Sequence, residues 1–418
     1  MTNKAFTFLA LAALCFLTTT DASAQQDIFT KRDNSQVRDG AGSYFKLLAV
    51  LPANLKLKLI EKSNRWAKVE LPDKQKGWIA ENCLEEKPTT KQMGKDLSKT
   101  WSSSKASRAG VAAAVKGFAK RFSKASDGSI EVIVEQRIAD FSDGDYQAFK
   151  RELNSKRAKV NSNITLASLD FDSPYYDARL SEVEIGAGVA AKIATAFGLV
   201  EDPTLNRYVN MIAAALVENT NYYDWDFGVF ILNDESINGF ACPGGYIFIT
   251  LGAIKNCSDE SELAAIIGHE IAHIIRRHGL QEVTKRLTKI KAEGAFAELE
   301  EEIGDEKDED EKELEDIAAQ SYERIVRKRL IAYEFEADKI GSVLCAMAGY
   351  DPYGMVRISE TVARVQATMP VPKEEFNSEY FAPDDAKERI KQIKSFVEKN
   401  YAATSSGRLK ERYERTTR

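Results

Sequence analysis

Glu262-Leu263-Ala264-Ala265-Ile266-Ile267-Gly268-His269-Glu270-Ile271-Ala272-His273 is the most informative stretch of this 418-residue chain. Apolar side chains at Leu263, Ile266, Ile267, Ile271, Ile274 and Ile275 recur at helical spacing, so a helix is predicted over 262–278, with Ser258 or Ser261 as its candidate cap. Four residues advance a helix by about 400°. His269 and His273 therefore project from one face, one turn apart, and can hold one ion through ring nitrogens roughly 2.0–2.1 Å away. Glu270, one step round, can reach a water on such an ion and act as general base. The third and last histidine, His278, lies five residues past His273, and a continuing helix turns it about 140° from the site. A catalytic zinc site takes three protein ligands and leaves a fourth position for water, so the missing ligand must be a carboxylate or thiolate from another element.

Downstream, Tyr333-Glu334-Phe335-Glu336-Ala337-Asp338 lies in a second helical stretch from about Ile317 to Ala348. Glu334 and Asp338 are four apart and share a face, whereas Glu336 points elsewhere. One of the two carboxylates can ligate the metal while the other accepts a hydrogen bond from a ligand histidine. Upstream, helical periodicity runs through Glu182–Phe197 and Leu205–Leu216. Two strand-like runs follow, Phe227–Leu232 and Tyr246–Thr250, joined by Asn238-Gly239-Phe240-Ala241-Cys242-Pro243-Gly244-Gly245, and together they predict a hairpin ahead of the histidines.

These three motifs, in this order over about one hundred residues, resemble peptidase family M48, a group of gluzincin zinc metalloendopeptidases. The resemblance implies one zinc per chain on His269, His273 and Glu334, Glu270 as base, and Asp338 as the partner of a ligand histidine. It also implies that Asn238 and the strand opening Gly244-Gly245-Tyr246-Ile247 form an edge along which a substrate backbone lies extended. Many members place a Ser/Thr-His-Pro late in the domain; this chain has Phe381-Ala382-Pro383 ahead of Arg389. With no histidine left, Arg389 or Tyr380 becomes the candidate oxyanion stabiliser beside the metal.

Residues 27–86 read as short alternating strands, with Leu55, Leu57 and Leu59 on one face. Val37-Arg38, Trp66-Ala67-Lys68-Val69 and Gly77-Trp78-Ile79 resemble the bacterial SH3-like domain, which implies a small β barrel that binds cell-wall peptides or partner proteins, with Trp66 and Trp78 as ligand or core residues. The expected fold class is α+β: this barrel, then a mainly helical gluzincin domain with a short sheet edge.

The N-terminal apolar run Ala5–Leu17 is too short for a spanning helix, which needs ~20 residues, and with Ala22-Ser23-Ala24 it predicts a signal peptide over 1–24. The expected location is the periplasm or cell envelope, with no transmembrane segment in the mature chain and at most peripheral membrane contact. Residues 87–180 are expected to be a linker and a region without assigned role, with a helix over 109–122 and a strand over 130–138. The peptidase domain is expected over 181–400, and 401–418 as a basic tail. Residues 298–316 hold thirteen acids and two lysines, a local charge of −11 against −6 for the whole chain, so one solvated insert makes the protein acidic. No basic stripe interleaved with aromatics argues for nucleic acid. Cys83, Cys242, Cys257 and Cys345 match no zinc or redox spacing and read as small buried hydrophobes. The expected function is an exported zinc endopeptidase acting on protein or peptide substrates in envelope quality control; the alternative is a wall-bound, zinc-stabilised binding or chaperone-like protein.

Overall fold

The computed structural model describes residues 26–32, 35–88, 141–159, 164–169, 179–279, 331–368, 383–403 and 406–418, with six isolated positions between 133 and 325. The signal-peptide pattern, the predicted helix over 109–122, the acidic segment 298–316 and Tyr380 lie outside them.

Strands β1 (Asp27–Thr30), β2 (Ser35–Arg38), β3 (Leu47–Leu51), β4 (Lys56–Ser63), β5 (Trp66–Glu70), β6 (Lys76–Ala80) and β7 (Leu84–Glu85) form one SH3-like sheet. Its order is β3-β2-β6-β5-β4-β1-β7, and every pairing is antiparallel. The hydrogen bonding does not close into a barrel, because β3 and β7 remain the two ends. The period-two pattern buries Val37, Leu51, Leu55, Leu57, Val69 and Ile79 together.

This module is fastened to the rest of the chain at the loop 218–226 and through Tyr44, whose hydroxyl donates to Asp143 at 2.8 Å and whose ring packs on Phe141 and Tyr146. Tyr223 joins its core, edge-on to Trp66 at 5.6 Å, with the Arg65 guanidinium 3.8 Å above the Tyr223 ring. Arg32 donates to Asp224 at 2.6 Å, and Arg38 forms an ion pair with Asp226 in which both side chains are almost wholly buried. Of the two roles open to Trp66, ligand or core, its packing against Tyr223 is that of a core residue. Trp78 is half-buried, with the Lys68 ammonium 5.5 Å from its ring centre.

The second part comprises α1 (Asp143–Ser155), α2 (Arg179–Phe197), α3 (Pro203–Val217), β8 (Gly228–Leu232), β9 (Gly239–Cys242), β10 (Tyr246–Thr250), α4 (Leu251–Asn256), α5 (Glu260–Ile275), α6 (Ile331–Ala348), α7 (Gly354–Gln366), α8 (Pro383–Asn400) and α9 (Lys410–Thr417). The predicted hairpin between the two strand-like runs is corrected here. β8 and β10 are parallel, and the segment between them supplies a third strand, β9, antiparallel to β10 in the order β8-β10-β9. The true hairpin is β9–β10, turned by Gly244 and Gly245 at φ 74° and 101°. Residue 133, inside the run read as a strand, is helical and packs with α2; three alternating β-branched residues are too few to separate the two periods.

α5 runs through the centre of the core. Its cap is Asp259, between the two serines expected, and accepts from Glu262 N at 3.2 Å, while Glu262 accepts in turn from Ser258 N at 2.8 Å. Gly268 of α5 meets Gly341 of α6 backbone to backbone: a Cβ on Gly341 would lie 2.9 Å from His269 N. This crossing carries Glu334 to the histidines. Gly341→Val should therefore cost about 1–3 kcal/mol through overpacking and reduce bound metal. Urea unfolding with metal analysis checks it, and a variant with wild-type stability and metal content would show that the crossing is slack.

The segment read as a basic tail is built into the fold. α9 buries Arg412 and Tyr413, and Arg412 Nε donates to Glu260 Oε2 at 2.6 Å. Composition alone reads this stretch as solvated because its acidic partners lie at the start of α5, remote in sequence. Among the described residues, Cys83, Cys242, Cys257 and Cys345 are all buried and none of them forms a disulfide. Among the described residues, no helix is long and apolar enough to cross a membrane.

Candidate metal centre

α5 and α6 bring His269, His273 and Glu334 into one cluster whose donor atoms lie within 4.8 Å of one another. His269 Nε2 is 3.0 Å from His273 Nε2 and 3.0 Å from Glu334 Oε2, and His273 Nε2 is 3.3 Å from Glu334 Oε1. Ligands at roughly 2.0–2.1 Å from a tetrahedral ion stand about 3.3 Å apart, so the three donors fit a zinc-sized dication. The electrostatics agree. Burial lowers the basicity of His269, but Glu334 and Asp338 overcome it and raise the imidazole pKa to about 9. Burial would raise the Glu334 carboxyl, yet His273 and His269 hold it well below its usual range. A buried cluster in which the carboxylate stays ionised and favours positive charge on the neighbouring imidazole suits a cation, and metal and proton compete for the same lone pairs.

The surrounding contacts orient the donors. His269 Nδ1 lies 2.9 Å from Asp338 Oδ1. Arg389 of α8 grips the same carboxylate through Nε at 3.0 Å and Nη2 at 2.8 Å, and its Nη2 lies 3.6 Å from Glu334 Oε2. Although burial alone would raise it, Asp338 stays below the usual carboxyl range because Arg389 and His269 face it. The guanidinium expected to face an oxyanion thus donates through two of its nitrogens to Asp338 while it also lines the pocket. Glu336, read as pointing elsewhere, accepts from His278 at 2.9 Å and from Arg276 at 2.8 Å, and these contacts bring its pKa to about 2.

Glu270 is buried beside the histidines, and Gly239 of β9 touches it: a Cβ there would sit 2.6 Å from Glu270 Oε1. A pocket opens on His269, Glu270 and Arg389, walled by Ile266, Met355, Ile358, Val362 and Ile390. Asn238 lines it, but the strand expected to form the substrate edge does not. β10, with Tyr246, is the central strand, paired on both sides, and Gly244 and Gly245 form the turn before it. The strand next to Glu270 is β9, whose other side has no strand partner among the described residues. The pocket wall from α7 was missed because its residues carry no motif, only an apolar face.

Residues 203–397 match the sequence model of peptidase family M48. The chain carries an M48 peptidase domain. Residues 33–85 match the bacterial SH3 domain. The chain is similar to the beta-barrel assembly-enhancing protease of Escherichia coli (strain K12), with 31% identity over 97 residues, 23% of this chain and 20% of that protein. The mitochondrial metalloendopeptidase OMA1 of Arabidopsis thaliana is 31% identical over 150 residues, 36% of this chain and 27% of the relative. Its Saccharomyces cerevisiae namesake is 24% identical over 177 residues, 39% and 46% of the two chains. The chain thus spans from a fifth to just under half the length of these relatives. They support a metallopeptidase.

Proposed function

We propose that the protein is an exported, zinc-dependent endopeptidase that hydrolyses peptide bonds in envelope proteins. The observation that carries this reading is the convergence of His269, His273 and Glu334 at zinc-ligand spacing with the buried carboxylate of Glu270 beside them. The apolar run before Ala22-Ser23-Ala24 supports export, and the printed name of the Escherichia coli relative supports a role in envelope protein quality control. The SH3-like module over 27–86 would brace the peptidase domain over 181–400, and any wall peptide would meet it away from Trp66.

When bound, zinc supplies the Lewis acid for the attacking water and the scissile carbonyl. His269 and His273 would present Nε2 to it, and Glu334 would add a carboxylate that offsets one of its two positive charges. Glu270 takes a proton from the water at a carboxylate oxygen and returns it to the leaving amine nitrogen. Asp338, clamped by Arg389, holds the His269 ring by its Nδ1 proton. The apolar wall of Ile358, Val362 and Ile390 seats a hydrophobic substrate side chain next to the scissile bond.

Purified protein should cleave casein, lose that activity when a chelator removes its metal, and regain it with one equivalent of zinc per chain. Glu334→Gln should lose both bound zinc and cleavage. Cleavage that survives complete chelation would refute the metal mechanism, and one bound zinc with no cleavage of any unfolded protein would favour a binding protein.

A further inference from the structure

We propose that His278 is a positioning residue of the metal site: it accepts a hydrogen bond from the Nδ1–H of His273 and donates its own Nε2–H to Glu336, fixing the ring that presents Nε2 to the ion. This rests on the metal site proposed above.

An unbroken helix would carry His278 away from His273, but α5 ends at Ile275. Arg277 adopts a left-handed conformation, φ 55°, and two backbone bonds then close the end: Arg277 N to Ile274 O and His278 N to His273 O, both 3.0 Å. That pair is the Schellman arrangement, normally built on glycine. A non-glycine residue there costs roughly 1–2 kcal/mol. Here the Arg277 side chain, itself buried, is held by Glu182 at 2.7 Å. The turn returns His278 to the ring it would otherwise leave.

The result is a row of nitrogens in which every proton has one place. His278 Nδ1 lies 2.9 Å from His273 Nδ1, so the two share a single proton. His273 Nε2 faces His269 and Glu334 and gives its lone pair to the ion, which leaves the His273 proton on Nδ1. His278 must accept it at Nδ1 and so carries its own proton on Nε2, where Glu336 Oε2 accepts at 2.9 Å. Arg276 balances Glu336 from 2.8 Å. The His278 ring is fixed in plane by stacking on Tyr333, 4.2 Å between centres and 6° from parallel. The two ligand rings are thus steered differently: His269 by a carboxylate directly, His273 by an imidazole interposed before one.

The test measures zinc affinity of the full chain by competition with a chromogenic chelator, comparing two variants. His278→Phe keeps the ring and its stacking but cannot accept; it should bind zinc about 10–100-fold more weakly. His278→Asn places an amide oxygen near the former Nδ1 and should stay within about threefold of wild type. The visible spectrum of the cobalt-substituted protein should change in the phenylalanine variant and not in the asparagine one, while the metal-free forms of both unfold at the wild-type temperature. Wild-type affinity in His278→Phe overturns the proposal. So does equal loss in both variants with destabilised metal-free forms, since His278 would then act by packing. A wild-type chain that binds no zinc would instead refute the metal site itself.

Discussion

Glu270→Gln should leave a folded protein that retains its zinc and cleaves casein about 10²–10⁴-fold more slowly than wild type, the range supplied by a positioned general base. Glutamine has nearly the same shape, so packing around the buried side chain, including its contact with Gly239, is preserved. What it lacks is an oxygen basic enough to take a proton from water. Glu270 is not among the three clustered donors, so removing its charge should leave metal content near one per chain. The loss should fall on kcat more than on KM, because the proton moves only on the way to the transition state. Equal cleavage by the variant and wild type would exclude Glu270 as the base. Loss of zinc together with activity would make it a determinant of the metal site.

Legibility in the sequence followed the range of the interaction. α5 and the two histidines on it could be read directly, because helical period and a four-residue spacing are local facts; the same spacing put Glu334 and Asp338 on one face of α6, but which of them faces the metal came only from the resemblance to M48 peptidases. Sheet order could not. A period of two says which residues face inward, not which strand lies alongside, so β8 and β10 read as a hairpin although β9 pairs between them in sequence. The Gly239–Cys242 strand was hidden because four residues flanked by turn formers look like a connection. His278 was misplaced because a helix angle was extrapolated past Ile275, and the residue that ends the helix is Arg277 at φ 55°, not a glycine that would have announced it. The acidic side of the site was likewise only half visible. Arg389 stood out as a cation, but that it serves Asp338 depends on how α8 packs against α6.

Arg412 is the extreme case of such long-range dependence, and its replacement by leucine should destabilise the protein by about 3–5 kcal/mol. Glu260, in the first turn of α5, is fully buried, and Arg412 reaches it with Nε and Nη2 from the far end of the chain. Tyr208 and Tyr350 donate their hydroxyls to the same carboxylate at 2.8 and 2.7 Å. Two phenols can satisfy oxygen lone pairs, but they cannot neutralise a charge held away from water. Leucine also loses the bond from Arg412 Nη1 to Phe149 O at 2.8 Å and the guanidinium stacking on that ring at 3.9 Å. If the uncompensated charge is the main cost, Glu260→Gln in the same chain should recover more than about 1 kcal/mol, a coupling that independent sites do not show. Urea unfolding of the two single variants and the double variant measures this, with zinc content followed in parallel because Glu260 opens the helix that carries His269 and His273. A loss below about 0.5 kcal/mol for Arg412→Leu would place α9 among dispensable surface elements. The expected result makes the last helix a structural part of the metal site.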